Sequence, residues 1–302
     1  MYIYNLFNVY IYIMAEPLMG SDSILARVTF IILVIIVFFI LLRIGVLILT
    51  LINEPSKNPV IMNGMQDGES SKKFNVNPNK SDSTPIFRSD NEKSGLEFTW
   101  SVWINVEETA ATTSRMYHVF NKGENTQHNS TDNYFDINGP GVYLESTTDD
   151  TKTTKQLDLH VLMDVHERRA KDSSNEDLRI KVTSLTLNKW INIIIRGKHD
   201  TLDVFIGGIL VKRQKFTEVL KQNYGHIYVG QELINNGTPR HGFPGRISGL
   251  TYFDHAIGTT KMLELQKMGP NLTYLGKEDY EYTLDNFFSS FWYSGQLLST
   301  TT

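Results

Sequence analysis

Four side chains that could bind a metal ion or transfer protons stand close together in the stretch QLDLHVLMDVH. They are Asp158, His160, Asp164 and His166. In an extended strand alternate side chains share a face, so this spacing predicts that all four lie on one face, opposite an apolar face. At about 3.3 Å per residue they spread over about 26 Å, so only neighbours such as Asp158 and His160 could share an ion. The pattern therefore favours a polar face that meets solvent or another protein.

A loop rich in oxygen ligands is the second candidate site. The stretch NSTDNYFDINGPG contains Asp132, Asn133, Asp136 and Asn138. Carboxylate and amide oxygens are the ligands that Ca²⁺ prefers. The alternative is turn chemistry, because Asn-Gly-Pro-Gly predicts a tight bend. Both interpretations remain open, and a calcium site on Asp132, Asp136 and Asn138 is the one cofactor that the sequence suggests.

Trp103 is the candidate for sugar binding. In LEFTWSVWINV alternate residues from Leu96 to Ile104 share an apolar face, and Trp103 falls on the opposite face among polar residues. An exposed aromatic ring beside amide or carboxylate groups is a common form of sugar site. The alternative is that the indole packs beneath a loop.

The overall composition narrows the classes of function. The chain has 302 residues, a net charge of −4 and no Cys. Without a global basic field we expect no nucleic-acid partner. A soluble portion of this size in an oxidising compartment often carries disulfides, so the lack of Cys favours folding in a reducing compartment. For the same reason we expect no glycosylation at the triplets of Asn79, Asn129, Asn236 and Asn271.

An apolar stretch near the N-terminus is long enough to cross a membrane. From Phe30 to Ile52, 20 residues are Ile, Leu, Val or Phe, and Arg43 is the one charged residue. Residues 29–52 make about 36 Å of helix, which exceeds a hydrocarbon core of about 30 Å. Insertion of Arg43 costs about 3 kcal/mol, whereas the apolar residues together contribute roughly −6 to −12 kcal/mol. The sequence predicts one transmembrane helix over residues 28–52.

Two roles for Arg43 remain open. Its side chain could extend to the nearer, C-terminal membrane interface, which is the favoured interpretation, or could pair with a lipid phosphate or another helix. Arg27 and Lys57 flank the helix evenly, so the positive-inside rule does not predict its orientation. Within the N-terminal segment 1–27, residues 1–13 either lie in the membrane interface or are an upstream extension of the reading frame.

After the helix the composition changes twice. Residues 53–94 are rich in Asn, Ser, Lys, Asp and Pro, which predicts a polar arm or linker. From Gly95 short alternating runs separated by turn residues predict many antiparallel strands. Gly207-Gly208 between apolar runs predicts a hairpin, and TTKMLELQKMG predicts a helix that ends at Gly269. The expected fold is mainly β, a two-sheet antiparallel sandwich over residues 95–270 with a short C-terminal helix.

The strand motifs follow an informative order. FTWSVWINV is followed by LNKWINIIIRGKHDTLDVFIGGILVKR, by GHIYVGQE and by FPGRISGLTYFDHAIGTTKMLELQKMGP. This order resembles the laminin-G-like branch of the concanavalin A-like jelly rolls, in which a Trp strand and a hairpin precede a strand ending in aromatic-Asp and a closing helix. The last block matches that family at Phe243, Gly245, Ile247, Leu250, Tyr252, Asp254 and Ala256. The resemblance implies a jelly-roll fold and no single function, because this fold carries lectins, hydrolases, adhesion modules and structural proteins.

The chain lacks the residue patterns of hydrolases. Hydrolases of the jelly-roll superfamily use a Glu-x-Asp-x-Glu strand, and here no Glu is followed two positions later by Asp. Asp164 and Glu167 are predicted to fall on opposite strand faces. A Walker loop, His-Glu-x-x-His and Gly-x-Ser-x-Gly are missing too. The sequence predicts that the protein is not an enzyme.

Five features follow one another along the chain: an N-terminal span, NPVIMNGM, a polar arm, RSDNEKSGLEFTWSVWI and a laminin-G-like domain. This layout resembles membrane-anchored proteins of large double-stranded DNA viruses, especially algal viruses. The resemblance implies a minor capsid protein of the virion, a single-pass protein of the inner membrane whose domain faces the capsid. Its partners would be the lipid membrane and other capsid proteins, major and minor. The rival hypothesis is a membrane-displayed carbohydrate-binding or adhesion module.

The C-terminal tail, residues 271–302, is rich in aromatic residues. Eight of its residues are Phe, Trp or Tyr. Exposed aromatic patches mark contact surfaces, and aromatic residues are common interface anchors. We predict that the tail docks on a partner, and the alternative is that it folds back over its own sandwich. The residues predicted to make this contact are Phe287, Phe288, Phe291, Trp292 and Tyr293.

Overall fold

The protein forms two units, which a computed structural model describes for residues 24–53, 56–80, 83–89, 95–112, 115–124, 134–147, 156–232 and 241–275. The chain divides after Ser56. The first unit holds an apolar helix, and the second, from Lys57, holds a β-sandwich. The predicted fold class is confirmed: the chain is mainly β, with an apolar N-terminal helix and a short C-terminal helix.

Helix α1, Ile24–Asn53, is long and apolar enough to span a membrane. The candidate span is Ala26–Leu51, and an 18-residue window within it has no buried residue. The Thr50 hydroxyl donates to the carbonyls of Val46 at 3.0 Å and Leu47 at 2.8 Å, so this polar group is satisfied inside the helix. A signal sequence near an N-terminus meets the same criteria of length and composition.

Twelve strands make up the described part of the sandwich. They are β1 (Val60–Asp67), β2 (Ser71–Phe74), β3 (Glu97–Val106), β4 (Met116–Lys122), β5 (Gly141–Thr147), β6 (Gln156–Leu162), β7 (Arg179–Val182), β8 (Trp190–Lys198), β9 (Thr201–Ile206), β10 (Ile209–Lys215), β11 (Ile227–Gly230) and β12 (Gly245–Phe253). Two 3₁₀ helices, Glu108–Thr112 and Ser173–Leu178, lie between strands. Helix α2, Thr259–Met268, follows the last strand.

The strands pair into two antiparallel sheets of six strands each. Sheet 1 has the order β1-β12-β3-β8-β9-β10, and sheet 2 has the order β2-β11-β4-β5-β6-β7. The predicted hairpin is confirmed, because β9 and β10 are joined by Gly207 and Gly208 with φ angles of 58° and 77°. A two-residue turn of this kind needs positive φ at both positions, which glycine adopts without strain.

The main core lies between the sheets, and a smaller apolar layer lies on the outer side of sheet 1. Alternate residues of β3, from Phe98 to Ile104, face the main core as predicted. Ile194 of β8 points outward and packs with Met262 and Leu265 of α2. Helix α2 ends at Gly269, whose φ of 71° and hydrogen bond to the Leu265 carbonyl close the helix.

The sandwich begins earlier in the chain than the sequence predicts. Residues 53–94 are predicted to form a polar arm, but β1 and β2 lie within them and add one strand to each sheet. β1 buries Ile61, Met62 and Met65. Its pairing with β12 shifts register twice within eight residues, so its buried positions do not alternate. These irregularities remove the period-two pattern by which a strand is recognised in a sequence.

Candidate functional site

The four predicted polar residues lie in three different environments. β6 ends at Leu162, so Asp158 and His160 lie on the strand and the prediction of one continuous polar strand face is wrong. Asp158 pairs with Lys181 at 3.0 Å, and the His160 Nε2 lies 2.9 Å from the Glu145 carboxylate. Burial lowers the pKa of His160, and Glu145 opposes this shift. These groups form a polar cluster on the outer face of sheet 2, in which Lys181 pairs with both Asp158 and Glu145.

Asp164 turns into the protein interior beyond the end of β6. Its carboxylate accepts hydrogen bonds from the backbone amides of Asn138 at 2.9 Å and Ala170 at 2.8 Å. Burial raises the pKa of Asp164 to about 6, and both hydrogen bonds oppose the rise. His166, in contrast, is exposed. Asp164 therefore holds two loops together and His166 faces solvent.

The predicted calcium loop is held by its own polar groups. The Asp136 carboxylate is fully buried and pairs with Lys171. The Asn138 side chain donates to the Phe135 carbonyl at 2.8 Å and accepts from the Tyr143 hydroxyl at 2.8 Å. Asp132 lies outside the described residues. Within the described part of the chain, no group of three His, Asp or Glu side chains is placed to hold a metal ion.

Trp103 is half-buried on the outer face of sheet 1. Its strand neighbours there are Asn192 of β8 and Ser248 of β12. A Cβ atom at Gly249 would lie 3.5 Å from the indole Cδ1, so the ring packs beside a position that has no side chain. Trp103 does not line the cavity between the two sheets, which Trp100 lines instead.

That cavity opens between the two sheets and measures about 380 Å³. Trp100 of β3 and Tyr252 of β12 line it from sheet 1, with their rings 5.0 Å apart. Lys122, the last residue of β4, lines it from sheet 2. Segment 86–88 and loop 219–224 supply the remaining walls, together with Gly139 and His166. Its volume lies in the range of small-molecule sites, about 300–1,000 Å³.

The Tyr252 hydroxyl joins segment 86–88 to loop 219–224 by hydrogen bonds. It donates to the Phe87 carbonyl at 2.7 Å and accepts from the Gln222 side-chain amide at 3.2 Å. Burial raises the pKa of Tyr252 well above its usual value, so the hydroxyl stays protonated and keeps donating. Segment 86–88 and loop 219–224 are therefore fixed to the floor of the cavity.

Lys122 brings a buried ammonium group to the cavity. Its Nζ donates to the Asn223 carbonyl at 2.9 Å, the Asn223 side-chain oxygen at 3.2 Å and the Gly225 carbonyl at 2.5 Å. All three acceptors are uncharged. Burial lowers the pKa of Lys122 to about 8, and the charge of Glu124 opposes the shift. The group holds the 223–225 loop and, when protonated, adds positive charge to the cavity wall.

Two exposed cations add to this charge. Arg88 and Lys221 line the cavity; neither forms a salt bridge with a described residue, and the charge of Lys221 acts on the Asp164 carboxylate. The described lining contains no Asp or Glu. Such a cavity suits an anionic group attached to an apolar or aromatic body.

The sequence did not predict this cavity. Its residues come from seven separate parts of the chain and share no motif spacing. Trp100 is predicted to lie on the apolar face of its strand, and Tyr252 is named only as a position of the laminin-G-like resemblance. Lys122 is a charged residue at the end of an apolar strand. A buried Lys is rare, so this is the one position whose residue type could have indicated the cavity.

The structure describes the predicted anchor residues but not the predicted tail residues. Phe30, Arg43 and Ile52 all fall within α1, and the Arg43 side chain is exposed. Phe287, Phe288, Phe291, Trp292 and Tyr293 lie outside the described residues.

No protein-family model and no curated protein matches this sequence. Solved structures do: the receptor binding domain of botulinum neurotoxin D is 11% identical, with a TM-score of 0.39 over 70% of this chain and 52% of that one. The type G receptor binding domain is 14% identical, with a TM-score of 0.36 over 70% of this chain and 46% of that one. The domain of the C/D mosaic serotype is 12% identical, with a TM-score of 0.35 over 57% and 36%. The chain thus spans about half or less of these structures, and similarity at this level assigns no family.

Proposed function

We propose that this protein is a structural membrane protein whose β-sandwich holds a partner at a bilayer. The observation that carries the proposal is that the β-sandwich follows the apolar helix after only a short connection. α1, with its exposed apolar surface, ends at Asn53, and β1 begins at Val60. Six residues, 54–59, join them. A partner bound by the sandwich is therefore tied to the membrane that takes up the helix.

The proposed activity is binding without catalysis. General acid–base chemistry needs a titratable group beside the reacting atoms, supported by a second group that orients it. His166 is exposed, and the described lining of the cavity offers it no carboxylate. The Asp164 carboxylate is committed to two backbone amides instead.

For the partner we propose the protein shell of a large double-stranded DNA virus, so that the chain is a minor capsid protein of the inner viral membrane. Support comes from the layout, with its N-terminal span, NPVIMNGM and a jelly-roll domain. The absence of Cys fits assembly on the cytosolic side of a host-derived membrane. The aromatic segment 287–293 would provide anchors for contacts with shell proteins.

The location of the chain in purified virions tests this proposal. Cryo-electron microscopy combined with cross-linking mass spectrometry is expected to place the sandwich between membrane and shell, with cross-links from the tail to capsid proteins. A virus carrying Phe291→Ala and Trp292→Ala is expected to lose most of the tail cross-links. Ser299→Ala is the matched control in the same tail. A chain found only on host-cell surfaces would defeat the proposal.

One observation favours a second candidate, carbohydrate binding. The cavity combines the rings of Trp100 and Tyr252 with the side-chain amides of Gln222 and Asn223. Apolar walls with a few placed polar groups are the usual composition of a ligand site. A glycan array probed with full-length protein in detergent micelles tests this candidate. Binding that falls at least tenfold in Gln222→Ala, and not in Thr217→Ala, would support it, and an array without binding would exclude it.

A further inference from the structure

Strand β10, Ile209–Lys215, forms one edge of sheet 1. Among the described strands only β9 pairs with it, so the other side of β10 has no ladder partner there. All of its residues are exposed except Gln214, which is half-buried. An edge strand of this kind presents unpaired backbone amides and carbonyls, to which another strand can bind. Sheet 1 can therefore be extended at β10.

The turn before β10 determines which residue presents its backbone at this edge. The Gly207 amide donates to the Asn192 carbonyl of β8, so Ile206, one residue earlier, turns its backbone groups toward β10. Ile209 lies opposite Ile206 in the pairing of β9 with β10. The next residue, Leu210, therefore directs its amide and carbonyl away from β9, to the open edge.

The edge has an apolar half and a basic half. Ile209, Leu210 and Val211 are 70%, 42% and 41% exposed. Residues 212–215 read KRQK and contain three cations. Charged residues protect edge strands against pairing, and a register shift between Leu210 and Lys212 interrupts the regular ladder at the same point. The apolar half carries no such charge, so a pairing at this edge is confined to residues 209–211.

The apolar half continues onto the outer side of sheet 1. Leu210 lies opposite Phe205, which belongs to the apolar layer beneath α2. A Cβ atom at Gly208 would lie 3.6 Å from the Gln266 side chain, so α2 passes beside the turn. Leu263, one helical turn before Gln266, is 58% exposed. The exposed apolar surface thus includes residues of both β10 and α2, and such surfaces mark contacts.

The charges of the basic half do not require an acidic strand as the occupant. Arg213 pairs with Asp203 at 2.6 Å, and Lys215 pairs with Asp200 at 3.5 Å. Two of the three cations are thus neutralised within the chain. The occupant of the edge has to supply an apolar strand instead, and the same apolar half on a second copy of this chain supplies one.

Charge also selects the register of such a pair. In a two-fold antiparallel pairing centred on Leu210, Ile209 of one copy faces Val211 of the other. Lys212 then faces Gly208, which has no side chain, and no like charges meet. A pairing centred on Lys212 would set the two ammonium groups directly opposite each other, which is destabilising.

We propose that two copies of this protein associate by antiparallel pairing of their β10 strands, centred on Leu210, so that two copies of sheet 1 form one continuous sheet. A stable interface buries about 1,200–2,000 Å². The proposed pairing is short, so the contact is weak and reversible. The inference concerns the sandwich alone and does not depend on the membrane and capsid proposals.

Disulfide trapping tests this register. The chain has no Cys, so a single introduced Cys can bond only to its counterpart in another copy, and only when their Cα atoms approach within about 7 Å. Leu210→Cys is the test variant, because residues at the centre of the pairing lie about 5.5 Å apart. Lys212→Cys is the control, exposed on the same strand but about 13 Å from its counterpart. In concentrated full-length protein in micelles, we expect at least tenfold more disulfide dimer from the test variant after mild oxidation.

A charge placed in the apolar half supplies the second measurement. Val211→Lys, added to the test variant, is expected to reduce the disulfide dimer at least tenfold, because it sets a cation against Ile209 of the second copy. Leu272→Lys is the matched control and is expected to change nothing. Leu272 is 58% exposed, and residues 273–275, which follow it, lie beside β1 at the other edge of sheet 1. Unchanged urea midpoints show that both exposed positions leave the fold intact.

Three results would overturn the proposal: equal dimer from the test and control variants, more dimer from Lys212→Cys, or dimer that ignores Val211→Lys. A protein that stays monomeric would overturn it too. In that monomer, protection of the Leu210 amide from hydrogen exchange would show that another segment or another protein covers the edge.

Discussion

The carboxylate of Asp164 accepts a hydrogen bond from the backbone amide of Asn138 at 2.9 Å, and this bond joins the loop after β6 to the loop before β5. Burial nevertheless raises the pKa of Asp164 from 3.8 to about 6 in the folded protein. The folded state therefore binds this proton more tightly than the unfolded state does. The resulting stabilisation is complete below about pH 4 and is lost as the pH rises through about 6.

Replacement of Asp164 by Asn removes this titration. Between about pH 4 and pH 7 we expect the free energy of unfolding of the unchanged protein to fall by roughly 2–3 kcal/mol because Asp164 loses its proton. The Asn variant has no such proton, so we expect its free energy of unfolding not to show this fall. Urea unfolding at several pH values in micelles measures the difference between the two proteins. Glu167→Gln, an exposed carboxylate in the same loop, is the control. A difference that does not change with pH would contradict the assignment.

Replacement of Lys122 by Met removes three hydrogen bonds and leaves the carbonyl of buried Gly225 without this donor. We expect the free energy of unfolding to fall by about 3 kcal/mol. Lys221→Met is the matched control, because that side chain is exposed and bonds to no described residue, and we expect a change within about 0.5 kcal/mol. Chemical unfolding measures both. Equal effects would mean that Lys122 does not hold the 223–225 loop.

The contribution of β1 can be tested with two shortened chains. A chain that starts at Lys57 keeps β1 and is expected to fold without α1. A chain that starts at Gly95 loses the burial of Ile61, Met62 and Met65, worth about 1.5–3 kcal/mol for each side chain. That loss approaches the whole stability of a domain, so we expect this chain to stay unfolded. Circular dichroism and amide exchange report the outcome, and a cooperative transition in the shorter chain would refute the expectation.

Membrane attachment through α1 predicts a simple fractionation. The full-length protein is expected to stay with membranes during an alkaline carbonate wash, and a variant without residues 24–53 is expected to appear in the supernatant. N-terminal sequencing of the membrane-bound protein provides the control. A mature chain that begins after residue 53 would identify the helix as a cleaved signal sequence, and full-length protein dispersed in detergent-free buffer would refute the anchor.

The regular strands could be predicted because burial and alternation coincide in them. β3 places its alternate residues in the core, and Gly207 and Gly208 form the hairpin turn that their φ angles allow. α2 could be predicted from its apolar spacing and its terminal Gly269. β1 could not, because two register shifts interrupt its alternation and its polar surroundings resemble a linker.

The cavity could not be predicted, for a topological reason. Trp100 and Tyr252 meet because β12 pairs with β3 across more than a hundred intervening residues. Lys122 joins them only because the two sheets face each other. For Asp164 the period-two pattern predicts a strand position, but β6 ends two residues earlier, at Leu162. Local patterns determine which residues are buried, and tertiary pairing determines which buried residues meet.

The short pairing between β1 and the end of the described chain has a mechanical consequence. Tyr274 pairs with Met65 in a parallel bridge. The Met65 amide donates to the Thr273 carbonyl, and the Leu275 amide donates to the Met65 carbonyl. Tension applied between the anchor side of β1 and the tail beyond Leu275 pulls two parallel strands along their length in opposite directions. Their hydrogen bonds then bear the load together instead of opening one after another. If the chain acts as the proposed tether, this short pairing is therefore loaded in shear and is not peeled apart bond by bond.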